Sequence, residues 1–204
     1  MKKFIVIGAL LIGSLMFLPL LFFGTKASET VGTSTINGVT VPNRTRVSAV
    51  TPGALQQAFI TKMSAYAPLC KSYGIYPSVM MAQAILESQW GMSDLAVQAN
   101  NIFGVKASAG WHGATLSMMT TEEYGGQKVR VMALWKKFGS VSDSVSDYCN
   151  FCHGRSYIEA GLLTATNYYE QVTALKNGGY ATDSQYVDLV CTIIEEYNLD
   201  QYDK

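Results

Sequence analysis

Residues 4–23 form an unbroken run of twenty residues without a charge, preceded by Lys2 and Lys3. Such a length of apolar chain spans a bilayer as a helix, and it has no place on the surface of a small globular domain. The following Thr25-Lys26-Ala27 is a small-x-small pattern of the kind signal peptidase cuts. Two readings stand. Pro19 and Gly24 suit a signal peptide that is removed, whereas the length of the run suits an uncleaved signal-anchor that ties the chain to the membrane. Both make residues 1–27 an export segment and place the rest of the chain outside the cytoplasm.

What remains of the 204 residues is enough for one domain plus extras. With 49% hydrophobic and 15% charged residues, and eight Phe beside twelve Tyr, the chain as a whole has the composition of a packed globular protein. Three of the fifteen basic residues, Lys2, Lys3 and Lys26, precede the first acidic one, Glu29. The chain beyond residue 28 therefore carries twelve basic against fifteen acidic side chains, a net of −3. No cluster of Lys and Arg interrupts this balance, so binding to nucleic acid is set aside.

Four cysteines, Cys70, Cys149, Cys152 and Cys191, fall in the exported part. An even count in an oxidising compartment predicts one or two disulfides, with three possible full pairings. Cys149 and Cys152 would face the same way on a helix, bonded to each other or to separate partners. The spacing leaves the pairing open.

Residues 28–52 are rich in Thr, Ser, Val and Gly, with Pro42 and Pro52, and read as a flexible linker. From residue 53 to residue 204 the pattern is that of one folded domain. Thr51-Pro52 resembles a helix start, and Leu55, Phe59, Ile60, Met63, Tyr66 and Ala67 recur at helical spacing up to about Cys70. Pro77 opens a second helix that runs through Glu87 to a stop at Gly91, and residues 94–99 predict a short third one. Residues 115–124 and 128–135 flank Gly125-Gly126, a β-hairpin signal. Ser140 and Asp143 have the spacing of a cap before a helix to about Cys152. Residues 168–175 and 184–197 complete an α+β, mainly helical domain with one small β element.

Within the second helix the run Ala82-Gln83-Ala84-Ile85-Leu86-Glu87 places one carboxylate among apolar neighbours. Loss of hydration disfavours the charged form and raises a carboxyl pKa. A carboxyl still protonated near neutral pH can protonate the leaving oxygen of a glycosidic bond. The plain alternative is that Glu87 points to solvent from an amphipathic helix, and periodicity alone does not choose.

The wider context does. Residues 82–93, ending in Glu87-Ser88-Gln89-Trp90-Gly91-Met92-Ser93, are followed by Asn100-Asn101-Ile102-Phe103-Gly104-Val105-Lys106 and Trp111-His112-Gly113. Thr121-Glu122-Glu123-Tyr124, Trp135-Lys136-Lys137-Phe138, Ser144-Val145-Ser146-Asp147-Tyr148 and Gly179-Tyr180-Ala181-Thr182-Asp183 come next, in that order. The series resembles the glucosaminidase family of bacterial peptidoglycan hydrolases, family 73 of the glycoside hydrolases, across residues 53–204. Several spaced motifs in order are far more specific than any one of them.

The resemblance implies a lysozyme-like fold, with helices packed around the Glu-bearing helix and a mobile β-hairpin lobe opposite. It implies Glu87 as the catalytic acid and a second carboxylate on the hairpin. The register falls on Glu123, with Glu122 as the alternative, since adjacent strand residues face opposite ways. Tyr180 matches a Tyr that the family sets beside the cleft, where its phenol would bond an N-acetyl group or orient a water; a core Tyr is the other reading. Trp90, Phe103 and Trp111 are candidates to line a sugar groove by stacking, although aromatics at such spacing also build cores. Asn101 and Lys106 are expected to organise the loop under the cleft, with direct contact to ligand as the alternative for Asn101.

One motif points elsewhere. Cys149-Asn150-Phe151-Cys152-His153 is literally C-x-x-C-H, the attachment signature of c-type haem, and part of a zinc ligand set. It falls inside the stretch that resembles the glucosaminidases, and no second His/Cys pair with structural-site spacing follows. With His112 and His153 as the only histidines, a Ser-His-Asp arrangement is poorly supplied. No metal or organic cofactor is implied. The expected substrate is the glycan strand of peptidoglycan, cut as an endo-β-N-acetylglucosaminidase cuts it. A muramidase or a lytic transglycosylase is the alternative, and a glycan-binding module of a surface machine is the non-enzyme one.

Overall fold

A computed structural model of the chain describes residues 32–36, 39–43, 49–124, 127–181 and 183–204, with the backbone alone for 32–36, 39–43, 121–124, 127 and 128. The apolar run at residues 4–23 lies outside the described residues, as do the Gly125-Gly126 turn and Thr182. Among the described residues no helix is long and apolar enough to cross a membrane.

The helix over Pro77–Ser88 (α3) is the axis of the fold. Every residue from Pro77 to Ile85 is buried, because the segment is apolar on all sides, and such a helix must be surrounded. Around it pack the helices Ala54–Ser64 (α1), Ala67–Ser72 (α2), Tyr168–Asn177 (α7) and Tyr186–Glu196 (α8), with the 3-10 turn Leu199–Asp203. That turn brings Asp203 onto the start of α3, where its carboxylate accepts from Ser78 N (2.8 Å) and Ser78 Oγ (2.7 Å). Helix N-termini leave N–H groups unpaired, and an anion there satisfies them. The helices Asp94–Ala99 (α4), Val141–Cys152 (α5) and Arg155–Glu159 (α6) complete the helical body.

The stretch expected as a single helix from Thr51 to about Cys70 is two. The first begins at Ala54 behind an extended Gly53, and a break at Ala65–Tyr66 separates it from α2. Pro68 sits in the first turn of α2; a proline ring has no N–H to continue the preceding helix but suits a new one. Ser140 caps α5 as expected, its side chain accepting from Asp143 N (3.1 Å).

Strands Thr115–Tyr124 (β3) and Gln127–Lys136 (β4) form the expected antiparallel hairpin, in a register that pairs Glu123 with Lys128 and Glu122 with Val129. The body end of the hairpin is anchored by Trp135, which is buried, and by backbone bonds from Lys136 N to Val105 O (3.0 Å) and Ala107 N to Leu134 O (2.9 Å). Within the stretch expected as a linker, Gly32–Ile36 (β1) and Val39–Asn43 (β2) also pair as a two-stranded antiparallel hairpin.

The four cysteines are fully buried thiols, and no disulfide joins them. They fill the core as small apolar side chains. Cys149 and Cys152 do not bond to each other; Cys149 instead donates to Cys70, at 3.9 Å between sulfurs.

Candidate active site

Helix α3 stops sharply after its one carboxylate. Gln89 (φ 52°), Trp90 (φ 62°) and Gly91 (φ 76°) take left-handed backbone in succession, a conformation that costs a residue with a Cβ about 1 kcal/mol or more. Ser88 holds the turn: its hydroxyl donates to Ala84 O (2.5 Å) and accepts from Gly91 N (2.7 Å). The helix therefore ends three residues before the expected stop at Gly91, with Glu87 in its last turn. Strain of this kind, held by surrounding bonds, gathers at functional sites.

Glu87 itself is half-buried. Burial pushes its pKa up to about 8. The group is thus a neutral carboxylic acid at pH 7, able to give up a proton. The segment Phe103-Gly104-Val105 passes beside it, with Gly104 close to its Oε2. The hydroxyls of Tyr180 and Tyr186 are both held well above the usual phenol range, first by burial and then by neighbours that include the Glu87 charge. Tyr180 is buried in an aromatic group with Phe151, Tyr157 and Tyr186, and its position follows from the left-handed Gly179 (φ 95°) after α7.

The remaining expected site residues separate into two kinds. Phe103 is wholly in the core, stacked on Tyr148 at 4.2 Å between centroids, and presents no face to a sugar. Asn101 is also buried. Its amide donates to Val105 O (2.9 Å) and Lys136 O (2.8 Å) and accepts from Val105 N (2.9 Å). These bonds use both of its N–H donors, so Asn101 ties the loop beside Glu87 to the end of the hairpin rather than reaching outward. Trp90 and Trp111 are half-buried. Trp90 packs edge-on between Phe59 and Tyr197, and Trp111 lies against Phe138 with the Lys136 ammonium 4.7 Å from its ring. The side chains of Glu122 and Glu123 lie outside the described residues.

A surface groove of about 420 Å³ runs between α1 and α4, lined by Leu55, Phe59, Lys62, Trp90, Val97 and Asn100 among others. Glu87, Tyr180 and Tyr186 are not among its lining residues, so it is separate from the carboxylate. The C-x-x-C-H stretch does not converge on a ligand: both thiols point into the core, while the exposed His153 bonds Tyr73 O at 2.9 Å. Among the described residues no three His, Cys, Asp or Glu side chains gather as metal ligands.

Sequence reasoning passed over Gln83 and Tyr186 as a buried polar pair, in which Gln83 Nε2 donates to Tyr186 Oη (2.5 Å). Gln83 is the one polar residue between Val79 and Leu86. A lone amide in an apolar run must find buried partners, and that was the available signal.

The chain is similar to known proteins in sequence and in fold. The family model for glucosaminidase, described as mannosyl-glycoprotein endo-beta-N-acetylglucosaminidase, matches residues 63–199. The chain is 42% identical over 154 residues to the exo-glucosaminidase LytG of Bacillus subtilis (strain 168), covering 73% of this chain and 54% of the relative. It is 36% identical over 155 residues to a probable N-acetylmuramidase of Lactococcus lactis subsp. lactis (strain IL1403), covering 72% of this chain and 35% of the relative. The catalytic domain of the autolysin Auto from Listeria monocytogenes superposes with a TM-score of 0.67 at 36% identity, over 76% of this chain and 90% of that one. The chain spans about half the length of the Bacillus relative and about a third of the Lactococcus one. With most of its folded part matched, including the stretch that carries Glu87, the chain belongs to the glucosaminidase family of glycoside hydrolases.

Proposed function

We propose that this chain hydrolyses the β-1,4 bond after N-acetylglucosamine in the glycan strands of peptidoglycan, with Glu87 as general acid. The observation that carries the reading is the Glu87 carboxyl, half-buried at the end of an apolar helix with its pKa pushed up to about 8. Glu87 gives its proton to the glycosidic oxygen as the bond from the anomeric carbon breaks, and positive charge spreads onto the ring oxygen. Water adds to the anomeric carbon, and its proton passes to a carboxylate. Glu123 is assigned that second carboxylate, with Glu122 as the alternative. Participation by the substrate's own acetamido group is the route that needs neither. Tyr180 is assigned to the N-acetyl group or the water, and Trp90 and Trp111 to the rim of the sugar groove.

The chain acts outside the cytoplasm, held at the membrane if residues 4–23 are retained after export. No cofactor enters any step. A second reading, cleavage after N-acetylmuramic acid, is favoured by the relative named a probable N-acetylmuramidase; the relative named an exo-glucosaminidase raises attack from chain ends in place of internal cleavage. Mass spectrometry of muropeptides from digested walls decides among these. N-acetylglucosamine at new reducing ends is the expected product. Muramic acid ends would move the cut by one sugar, anhydro ends would mean transglycosylation, and intact walls holding bound protein would make the chain a binding module.

A further inference from the structure

Lys136 closes strand β4, and three other parts of the protein meet at it. Its backbone N–H donates to Val105 O (3.0 Å), and its carbonyl accepts from Asn101 Nδ2 (2.8 Å). Both bonds fix the base of the hairpin to the loop that passes Glu87. The side chain reaches two more elements. Its ammonium donates to both carboxylate oxygens of Asp147 on α5 (2.7 and 2.9 Å) and lies 4.7 Å from the centre of the Trp111 ring. The Lys136 and Asp147 side chains are only 16% and 20% exposed, against 90% and 62% for the surface pair Arg155 and Glu159. A pair so enclosed is little screened, and removing one partner leaves the other charge poorly compensated. Trp111 is held from other sides too. Its Nε1 donates to Ala114 O (3.0 Å), its ring meets Phe138 edge-on, and a Cβ on Gly113 would stand 2.4 Å from its Cζ2. The ring is clamped between its own loop and the Lys136 ammonium.

We infer that Lys136 and Asp147 are positioning residues, whose bridge latches the hairpin and the Trp111 ring to α5 in the arrangement that receives the glycan strand. This rests on the reading of Trp111 and the hairpin as parts of the glycan site. Neither residue takes part in the proton transfer. A two-stranded ribbon is marginal by itself, so the bonds at its base set its pose. When only a fraction of molecules holds the pose that binds, apparent affinity falls by that fraction. A bound glycan strand draws the ribbon back, so the rate at saturation changes little. The latch therefore governs KM more than kcat.

The test combines amide hydrogen exchange with kinetics on soluble glycan fragments, in the full chain. The amides of Ala107 and Lys137 bond Leu134 O and Ala114 O at the hairpin base (2.9 Å each). Lys136→Met and Asp147→Asn should each speed exchange of these two amides by about tenfold, while the amides of α3 keep the parent rate. KM should rise by roughly three- to tenfold, with kcat within about threefold of the parent. Lys136→Arg, which keeps the charge and can pair both carboxylate oxygens, should restore exchange and KM together. Lys137→Met removes the same charge from the exposed neighbouring side chain and should behave as the parent. Unmoved exchange and unmoved KM in both Lys136→Met and Asp147→Asn overturn the inference. Equal acceleration through α3 also overturns it, because that is a loss of stability alone. Trp111→Ala with the parent KM would instead remove Trp111 from the glycan site, and exchange at the hairpin base would still decide the latch.

Discussion

Glu87 Oε2 faces the side of Gly104 on which any other residue would carry a methyl group; a Cβ built there would stand 3.9 Å from the oxygen. Gly104 also has φ +62°, where glycine alone is free of steric cost. One glycine thus keeps the left-handed bend of the loop and the open approach to the carboxyl. The acid is buried enough to stay protonated and is still reachable.

Gly104→Ala tests both roles. The left-handed backbone should cost about 1 kcal/mol, which lowers the melting temperature by roughly 2–4 °C in a protein of this size. The new methyl group makes no clash at 3.9 Å, but it excludes water from the carboxyl and should push its pKa further up. The alkaline limb of the kcat/KM profile is expected to move to higher pH, measured with soluble glycan fragments. A limb that moves down would contradict this account of the site.

Glu87→Gln should keep the fold and lose at least the ~10²–10⁴-fold that a general acid contributes. In the parent, kcat/KM should fall as pH rises through about 8, where Glu87 loses its proton. The same shift bears on stability. Because the folded-state pKa is raised above the unfolded value near 4.5, the folded protein holds the extra proton between pH 4.5 and 8. Stability from this group is therefore complete below pH 4.5 and is lost as pH rises to about 8. Glu87→Gln lacks the loss. Its stability advantage should grow across that window to on the order of 2–4 kcal/mol, followed by urea unfolding at several pH values. Equal pH dependence in both proteins would mean that the carboxyl is not desolvated.

The hairpin register sets Glu122 opposite Val129 and Glu123 opposite Lys128, and neighbours on a strand face opposite ways. Glu123→Gln should therefore cost more activity than Glu122→Gln, by about tenfold or more. The reverse order would hand the role to Glu122. Near-parent rates in both variants would leave the acetamido group of the substrate as the remaining partner of Glu87.

The cysteines are expected to be four thiols in the mature protein. Their burial leaves no sulfur at the surface; the contact between Cys70 and Cys149, then burial, holds Cys70 above the usual thiol range, burial holds Cys152 above it, and the same contact holds Cys149 below it. A protonated, enclosed thiol reacts slowly with oxidants. Alkylation in denaturant without reductant should add four labels. Two labels would reveal a disulfide, with Cys70 and Cys149 the nearest candidates. Cys149→Ser should melt earlier, because it buries a hydroxyl in an apolar place, yet cut glycan at the parent rate when folded.

Much of this protein is determined by local pattern. The apolar run around residues 79–86 dictates a central helix, and Gly125-Gly126 between alternating residues dictates a hairpin; the raised pKa of the one carboxylate in that helix follows from its burial in the fold. The two elements follow from propensity and hydration, which act on neighbours in the chain. Asn37-Gly38 between Thr33-Ser34-Thr35-Ile36 and Val39-Thr40-Val41 was an equal hairpin signal, masked by a composition that reads as linker. Tertiary structure alone decided which aromatic faces a groove and which fills the core, because Phe103 meets Tyr148 from 45 positions away. It also decided that Asn101 spends its amide on backbone, and that Gln83 finds Tyr148 and Tyr186 at separations of 65 and 103 residues. Periodicity reports that a side chain is turned inward. The partner it meets there depends on how helices distant in sequence pack, and a buried polar group takes its meaning from that partner.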